Sequence, residues 1–280
     1  MSKIEKALNR ARSEGVPVLT SVPGTGEKRS TGTALIPDRN DVAVSAESIP
    51  RMSARESRLL SSKDLAQFGI IHPERSEDPA VQVFRELRTK IVQKSQGQNG
   101  VILVTGISKG SGVSFVTQNL AAAFAFDAGK TALVIDCNLK NPSGRGVISN
   151  SAAPGLADYL ENPELDIDKI IRPVGIARYR VIAAGKRREV PVEHFTSLKM
   201  RRLIDTLRAR YRERFIILDG PPMSDVADIR ILSELCDYVL VVARYARSTS
   251  TQIENCLSVI AEKKLLGLVF NDEPRIPWAR

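Results

Sequence analysis

The stretch that decides the fold is VILVTGISKGSGVSFVTQNLAAAF, which runs from Val101 to Phe124. Aliphatic and β-branched residues predominate in its first part, and this composition predicts a buried strand. A loop rich in glycine and serine follows, and an alanine-rich segment, which favours a helix, completes the stretch. A strand, a glycine-rich loop and a helix in this order are typical of a phosphate-binding loop, or P-loop.

The loop has most of the features that phosphate binding needs. Gly110 and Gly112 let backbone N–H groups turn toward a phosphate, and the helix that follows adds the partial positive charge of its N-terminus. Ser114 stands where a hydroxyl would bind Mg²⁺, but Val113 stands where a lysine would reach the β- and γ-phosphates. Lys109 is the candidate to replace that lysine. The candidate nucleotide-binding residues of the loop are Lys109, Gly110, Ser111, Gly112, Val113 and Ser114.

Two further apolar runs end in an acidic residue. Asp136 ends TALVID, and Asp219 follows the apolar residues of FIILDGPP. Because functional residues of parallel sheets gather at the carboxyl ends of the strands, both carboxylates are predicted to lie beside the loop. Asp136 and Asp219 are therefore the candidate catalytic residues, and with Ser114 they are the candidate ligands of Mg²⁺. Asn138 stands where a second aspartate would complete an Asp-x-Asp pair, and an amide cannot act as a base at neutral pH.

The composition limits the range of functions. The chain has 280 residues, of which 42% are hydrophobic and 5% aromatic, and its formal net charge is +9. This length suits one large α/β domain with an extension. So few aromatic residues argue against the stacking surfaces of single-stranded nucleic-acid binders, and no nucleic acid is expected as a partner. The positive charge suits phosphates, anionic membrane surfaces or acidic partners, although most such charge is ordinary solvated surface.

Neither a membrane span nor a metal-binding cysteine motif is predicted. The sequence has no apolar run long enough for a transmembrane helix, so any membrane role is expected to come through a partner. The three cysteines, Cys137, Cys236 and Cys256, lie in or beside apolar stretches without metal-ligand spacing. This pattern predicts buried free thiols.

The chain divides into an extension and a domain. Residues 1–75 are predicted to be a short helix, in SKIEKALNRARSEG, followed by a largely disordered linker. Residues 76–280 are predicted to be the folded domain, which opens with an amphipathic helix over residues 78–96 and includes one long basic helix over residues 194–212. The predicted strands are residues 101–106, 131–136, 179–185, 215–222, 238–244 and 265–271. Apolar strands joined by helices predict a doubly wound, mostly parallel α/β sheet with helices on both faces.

The loop and the two acidic strand ends together resemble the bacterial tyrosine kinase family of the CpsD, CapB and Wzc type, the BY-kinases, over about Asp78 to Asn271. The segments PGLADYL, DGPP and LLGLVFN match the family as well. The resemblance implies the P-loop fold that these kinases share with the MinD and ParA ATPases. It also implies ATP and Mg²⁺ as cofactors, and it points to Asn271, at the end of the last strand, as a residue that helps to hold the nucleotide base.

The helix that precedes the first strand of the domain extends this resemblance to assembly. In the family, a helix similar to QVFRELRT carries a glutamate and two arginines that build a ring-shaped oligomer. Arg85 and Arg88 match the two arginines, and Gln82 stands in the glutamate position. The resemblance therefore implies an interface of a homo- or hetero-oligomer at these three residues, in which Gln82 cannot form the ion pair of a glutamate.

The resemblance also implies a cellular context. The N-terminal SKIEKALNRARSEG is similar to the start of the exosortase-associated branch, whose genes accompany exopolysaccharide export. A protein of this branch is expected to be cytoplasmic and to be held at the inner membrane by a membrane chain-length or co-polymerase protein. An active homologous kinase is a second expected partner.

Four departures from the family fall on functional positions. They are Val113, Asn138, Gln82 and the absence of tyrosine from the final segment NDEPRIPWAR. Together they favour a pseudokinase that keeps the fold and modulates a partner. Two alternatives stay open: an active tyrosine autokinase that uses Lys109 and Asp136, and a positioning ATPase of the MinD and ParA kind.

Overall fold

The computed structural model of the protein describes residues 18–19, 60–75, 77–142, 153–211 and 213–272. Within these ranges, eight strands form one sheet. The strands are β1 (Val18–Leu19), β2 (Val101–Gly106), β3 (Thr131–Asp136), β4 (Ile171–Pro173), β5 (Tyr179–Ile182), β6 (Arg214–Pro222), β7 (Tyr238–Arg244) and β8 (Leu265–Asn271). Their order across the sheet is β1-β8-β7-β2-β6-β3-β5-β4. The pairing of β4 with β5 is antiparallel and the other pairings are parallel.

Helices cover both faces of this sheet. They are α1 (Ser62–Gln67), α2 (Pro79–Lys94), α3 (Val113–Ala125), α4 (Leu156–Glu161), α5 (Pro191–Thr196), α6 (Leu198–Arg210), α7 (Val226–Leu235) and α8 (Ser250–Ser258). The apolar sides of α1, α2 and α3 pack on one face, and those of α4 to α8 pack on the other. The predicted doubly wound, mostly parallel α/β fold is therefore confirmed. In these ranges every helix is too short or too polar to span a bilayer.

Strand β2 lies near the middle of the sheet, and its six residues are all buried. Val101 and Leu103 pack with the helices on one face, and Ile102 and Val104 pack with those on the other. Successive side chains of a strand point to opposite faces, so only a continuous apolar run can fill both cores. The apolar run of β2 therefore predicts a sheet that is covered on both faces, in addition to marking the start of the P-loop.

The basic segment from residue 194 to residue 212 differs from its prediction. In place of one long helix, it contains the end of α5 and all of α6, and Ser197 lies between them. The backbone of Ser197 is extended, and its hydroxyl accepts a hydrogen bond from the Met200 N–H at 3.1 Å. A serine with this geometry caps the helix that follows it. Helix α7 and strand β4 are absent from the prediction, and β4, with three residues, is too short to establish a period.

The end of the predicted linker packs on the domain. Helix α1 begins with a capping box, in which Ser61 and Asp64 bond to each other's backbone N–H groups. Leu65, Ile70 and Ile71 are buried in the core that α2 and α3 also line. The packed part of the chain thus begins before the boundary predicted after residue 75. The rest of the predicted extension, except residues 18–19, lies outside the described residues, as does the segment after Asp272.

The side chain of Asn119, on α3, fastens this segment. Its Oδ1 accepts a hydrogen bond from the Ile71 N–H at 2.8 Å, and its Nδ2 donates to the Gly69 carbonyl at 3.1 Å. Asn119 is fully buried. Buried backbone groups need such partners, because an unsatisfied one keeps its full cost of desolvation.

Replacing Asn119 with leucine is expected to destabilise the domain by about 1–3 kcal/mol, because the Ile71 N–H and the Gly69 carbonyl lose their partner. Urea unfolding measures the change in free energy. Hydrogen exchange across residues 60–75 should rise more than exchange in the sheet. Asn255→Leu, at an exposed position of α8, is the control and should change stability by less than about 0.5 kcal/mol. Equal effects of the two substitutions would contradict the role of Asn119.

Candidate nucleotide site at the carboxyl edge of the sheet

The sequence-predicted site residues meet at the carboxyl edge of the sheet. The loop follows β2, Asp136 ends β3, Asp219 lies in the second half of β6, and Asn271 ends β8. Because β2, β3, β6 and β8 run in the same direction, their carboxyl ends lie along one edge. The fold therefore gathers residues that are far apart in the sequence.

The P-loop turns sharply between β2 and α3. Gly110 and Gly112 have positive φ angles of 81° and 89°, a conformation that glycine adopts without strain. Between them, Ser111 is fully buried. Its hydroxyl donates to the Ser108 carbonyl at 2.7 Å and accepts from the Ser108 N–H at 3.2 Å. These bonds give the loop a compact internal structure.

The valine in the lysine position has apolar surroundings. Val113 is the first residue of α3, and it packs against the apolar core on the α1 to α3 side. It lies so close to the end of β2 that a Cβ on Gly106 would be 2.7 Å from its Cγ2. The loop keeps its backbone donors, since the first N–H groups of a helix have no partner within the helix. It lacks a cation at this position.

Lys109 lies at the tip of the loop, one residue before Gly110, and its side chain is exposed. The sequence indicates it as the substitute for the missing lysine. At this position the charge of Lys109 is close to the loop backbone and remains exposed to solvent. Its use in binding stays a prediction.

Asp136 and Asp219 form a buried pair of carboxylates. They are directly opposite each other in the parallel pairing of β3 with β6, and each is 1% exposed. Burial raises the pKa of Asp219 well above its usual range, and the negative charge of Asp136 raises it further. A hydrogen bond from the Ser114 hydroxyl opposes this shift. The pair is therefore a place where negative charge is concentrated and poorly solvated.

These residues fit Mg²⁺. Asp219 Oδ2 is buried without a hydrogen-bond donor among the described residues, and a bound cation would compensate it. Carboxylate and hydroxyl oxygens are ligands that Mg²⁺ prefers, and it is commonly held by one or two carboxylates together with substrate phosphates and water. In the described part of the chain, no group of three or more His, Cys, Asp or Glu side chains forms an all-protein metal site.

Asn138 serves the local turn. Its N–H donates to Asp136 Oδ1 at 2.9 Å, and its side-chain oxygen accepts from the Asn141 N–H at 3.3 Å. The residue predicted to be a poor replacement for a second aspartate thus orients the carboxylate of the first. Its amide carries no charge that could help to hold a cation.

One ion-pair cluster beside the site is absent from the sequence prediction. The Lys140 ammonium lies 2.7 Å from Asp225 Oδ1 and 3.3 Å from Asp228 Oδ2. Burial raises the pKa of Asp228, and Lys140 opposes that shift. The cluster fastens the turn after β3 to the start of α7. The sequence shows Lys140 four residues after Asp136, but it does not indicate the partners of this lysine, which are more than eighty positions away.

Asn271 lies against the P-loop. Its Nδ2 donates to the Ser111 carbonyl at 3.0 Å, and a Cβ on Gly112 would be 2.0 Å from the same nitrogen. The residue expected to hold a nucleotide base is thus at the site, and it bonds to the loop itself. Its contact with a base stays a prediction.

The predicted oligomer residues lie on α2, outside this edge of the sheet. Gln82 is exposed, and Arg85 and Arg88 are partly buried. Arg88 Nη1 donates to the Ala123 carbonyl on α3 at 3.1 Å, so this arginine already contributes to packing within its own chain. The interface role of the three residues stays a prediction.

The relatives found by comparison with known proteins agree with one another. No protein-family model matches the chain. The chain is 29% identical to the tyrosine-protein kinase ptk of Acinetobacter johnsonii over 92% of its own length and 34% of that kinase. It is 32% identical to the tyrosine-protein kinase wzc of Salmonella typhi over 69% of its own length and 27% of that kinase.

The chain is a homologue of the bacterial tyrosine kinases. It spans about a third or less of the curated relatives that it matches, at 34% and 27% of their lengths. The chimerical protein CapA2B2 matches with a TM-score of 0.66 at 26% identity, over 77% of this chain and 100% of the other. The BceF tyrosine kinase domain matches with a TM-score of 0.63 at 26% identity, over 77% of this chain and 91% of the other. The kinase domain of Escherichia coli ETK has the same fold, with a TM-score of 0.64 at 23% identity over 79% of this chain and 92% of the other.

Replacing Asp219 with asparagine is expected to stabilise this tyrosine-kinase homologue at neutral pH in the absence of Mg²⁺. The folded state raises the pKa of Asp219, so the protonated carboxyl is the form that the fold favours. For such a group, stability is greatest below the unfolded pKa of about 4 and declines as the pH rises through the folded value. The advantage of Asp219→Asn should therefore grow from acid to neutral pH.

Urea unfolding between pH 4 and pH 8 measures this difference. Asp205→Asn, at an exposed position of α6, is the matched control, and it should not reproduce the trend. A variant Asp219→Asn that is less stable than wild type throughout the range would contradict the electrostatic account of the pair.

Proposed function

We propose that this protein is a BY-kinase-like P-loop protein of exopolysaccharide synthesis and export whose phosphotransfer activity is impaired. The observation that carries the proposal is the position of Val113. It is the first residue of the helix after the P-loop, and it packs against the apolar core. A pseudokinase of this kind would act mainly through its contacts with partners.

The size of the expected defect follows from what is missing. A preorganised charge that stabilises a transition state contributes roughly 2.7–4 kcal/mol, or about a hundredfold to a thousandfold in rate. The absence of a second aspartate at Asn138 removes a candidate base, and general-base catalysis contributes about a hundredfold or more. These losses reduce the rate of phosphotransfer without altering the fold.

Nucleotide binding has support that is independent of catalysis. The glycine-rich backbone can cradle phosphate oxygens at the N-terminus of α3. Asp136, Asp219 and Ser114 would hold Mg²⁺, which would neutralise phosphate charge when bound. Asp219 Oδ2 is a buried oxygen without a hydrogen-bond donor among the described residues, and such a cation would compensate it. ATP or ADP with Mg²⁺ is therefore the proposed ligand, as a structural or regulatory one.

The proposed setting comes from homology. A membrane chain-length or co-polymerase protein is the proposed partner, and it would hold the protein at the cytoplasmic face of the inner membrane. Assembly with itself or with an active homologous kinase through α2 would let it modulate that kinase. Arg85, which is partly buried on this helix, is the residue through which such contacts would be tested first.

A second candidate is an active autokinase. It is favoured by the exposed position of Lys109 in the P-loop and by the presence of Asp136 and Asp219 at the same edge of the sheet. In that case Lys109→Ala would abolish phosphotransfer and leave the fold unchanged. The two candidates make opposite predictions for the wild-type protein.

Introducing the missing lysine should restore affinity for nucleotide. Val113→Lys is expected to bind Mg-ADP about tenfold to a hundredfold more tightly than wild type, because a hydrogen bond to a charged group contributes about 1.5–3 kcal/mol. Isothermal titration calorimetry with Mg-ADP and Mg-ATP measures this change. Val226→Lys is the matched control, since Val226 is also the first residue of a helix and is exposed.

Tyrosine phosphorylation from radiolabelled ATP separates the candidates. Under the proposal, wild type is silent at ordinary enzyme concentrations, and Lys109→Ala changes nothing. Robust phosphorylation by wild type that disappears in Lys109→Ala would overturn the pseudokinase and support the autokinase. Circular dichroism confirms that each variant is folded.

A further inference from the structure

The bond between Asn271 and the P-loop is held firmly from the β8 side. The Asn271 carbonyl accepts a hydrogen bond from the Tyr245 N–H at 2.8 Å. The next residue, Asp272, forms an ion pair with Arg244, the last residue of β7, at 2.6 Å. The Asn271 side chain therefore extends toward the loop from a backbone position that is fixed on both sides.

On the loop side, the Asn271 amide binds the Ser111 carbonyl, which takes no part in the bonds between Ser108 and Ser111. The hydroxyl and the N–H of Ser111 are already bonded to Ser108, and its carbonyl accepts from Asn271 Nδ2 at 3.0 Å. The same nitrogen lies where a Cβ on Gly112 would be, at 2.0 Å. Gly112 is thus required both for its positive φ and for this close approach.

This contact fixes the direction of one loop amide. A trans peptide points its carbonyl and its N–H in opposite directions. When Asn271 holds the Ser111 carbonyl, the Gly112 N–H must point away from Asn271. Gly112 is one of the residues whose N–H groups would bind a phosphate, so its orientation before binding affects affinity.

We propose that Asn271 is a positioning residue that clamps the P-loop through the Ser111 carbonyl and so preorganises the backbone cradle for a diphosphate group. The inference deepens the proposed function and rests on it, because it assigns to a neutral amide part of the ordering that a P-loop lysine would provide on binding phosphate. The probe that isolates this role is inorganic pyrophosphate, which has the phosphates but no base.

Three variants test the clamp. Asn271→Asp keeps the size of the side chain but removes the donor, and Asn271→Ala removes the amide altogether. Asn255→Asp, at an exposed position of α8, is the matched control for the change in charge. Hydrogen–deuterium exchange is measured on the ligand-free protein in a peptide that covers residues 107–116.

Loss of the clamp should speed exchange in that peptide by about threefold to tenfold in both Asn271 variants, as expected for one net hydrogen bond. Exchange in β5, which is remote from the loop, should not change, and this separates loosening of the loop from global destabilisation. Unchanged exchange across residues 107–116 in Asn271→Asp and Asn271→Ala would overturn the proposal.

Calorimetry with Mg-pyrophosphate and Mg-ADP completes the test. Both ligands should bind more weakly to the two variants, by a similar factor. A loss of affinity confined to Mg-ADP would overturn the proposal, because it would assign Asn271 to the base. If wild type binds neither ligand while the variants exchange faster, the nucleotide site of the proposed function fails and the loop clamp itself is supported.

Discussion

The site depends on the parallel pairing of β3 with β6. This pairing places Asp136 opposite Asp219 in a part of the sheet that is buried on both faces. Two carboxylates in such surroundings repel each other and are poorly solvated, so they are stable only with a proton, a hydrogen-bond donor or a cation. The unfavourable burial of these two carboxylates occurs at the edge of the sheet where the P-loop supplies backbone donors. This is the physical reason to regard the edge as a site.

Neutral contacts dominate the P-loop. Ser108 and Ser111 bond to each other, Asn271 bonds to Ser111, and Val113 packs into the core. A lysine at residue 113 would instead place a cation where phosphate charge accumulates. The edge of the sheet therefore combines a well-ordered loop and a buried acid pair with an apolar residue in the lysine position. Under the proposed function, this combination would suit nucleotide binding better than phosphotransfer.

The structural elements that rest on long sequence patterns were predictable from the sequence. The buried strands and the P-loop follow from continuous apolar runs and from glycine spacing, which are local properties. The split at Ser197 was not predicted, because no glycine or proline interrupts the segment and the cap is revealed by the bond of its hydroxyl to the Met200 N–H. The packing of residues 60–75 was also missed, since it depends on Asn119 in another helix.

The sequence by itself determined the doubly wound fold, the P-loop and the loss of its lysine, because each of these is set by neighbouring residues. Only the tertiary structure decided what the polar side chains do. Lys140 pairs with Asp225 and Asp228, which are 85 and 88 residues away along the chain, and Asn271 holds Ser111 across 160 residues. Such contacts depend on the order of strands in the sheet, which local periodicity does not encode.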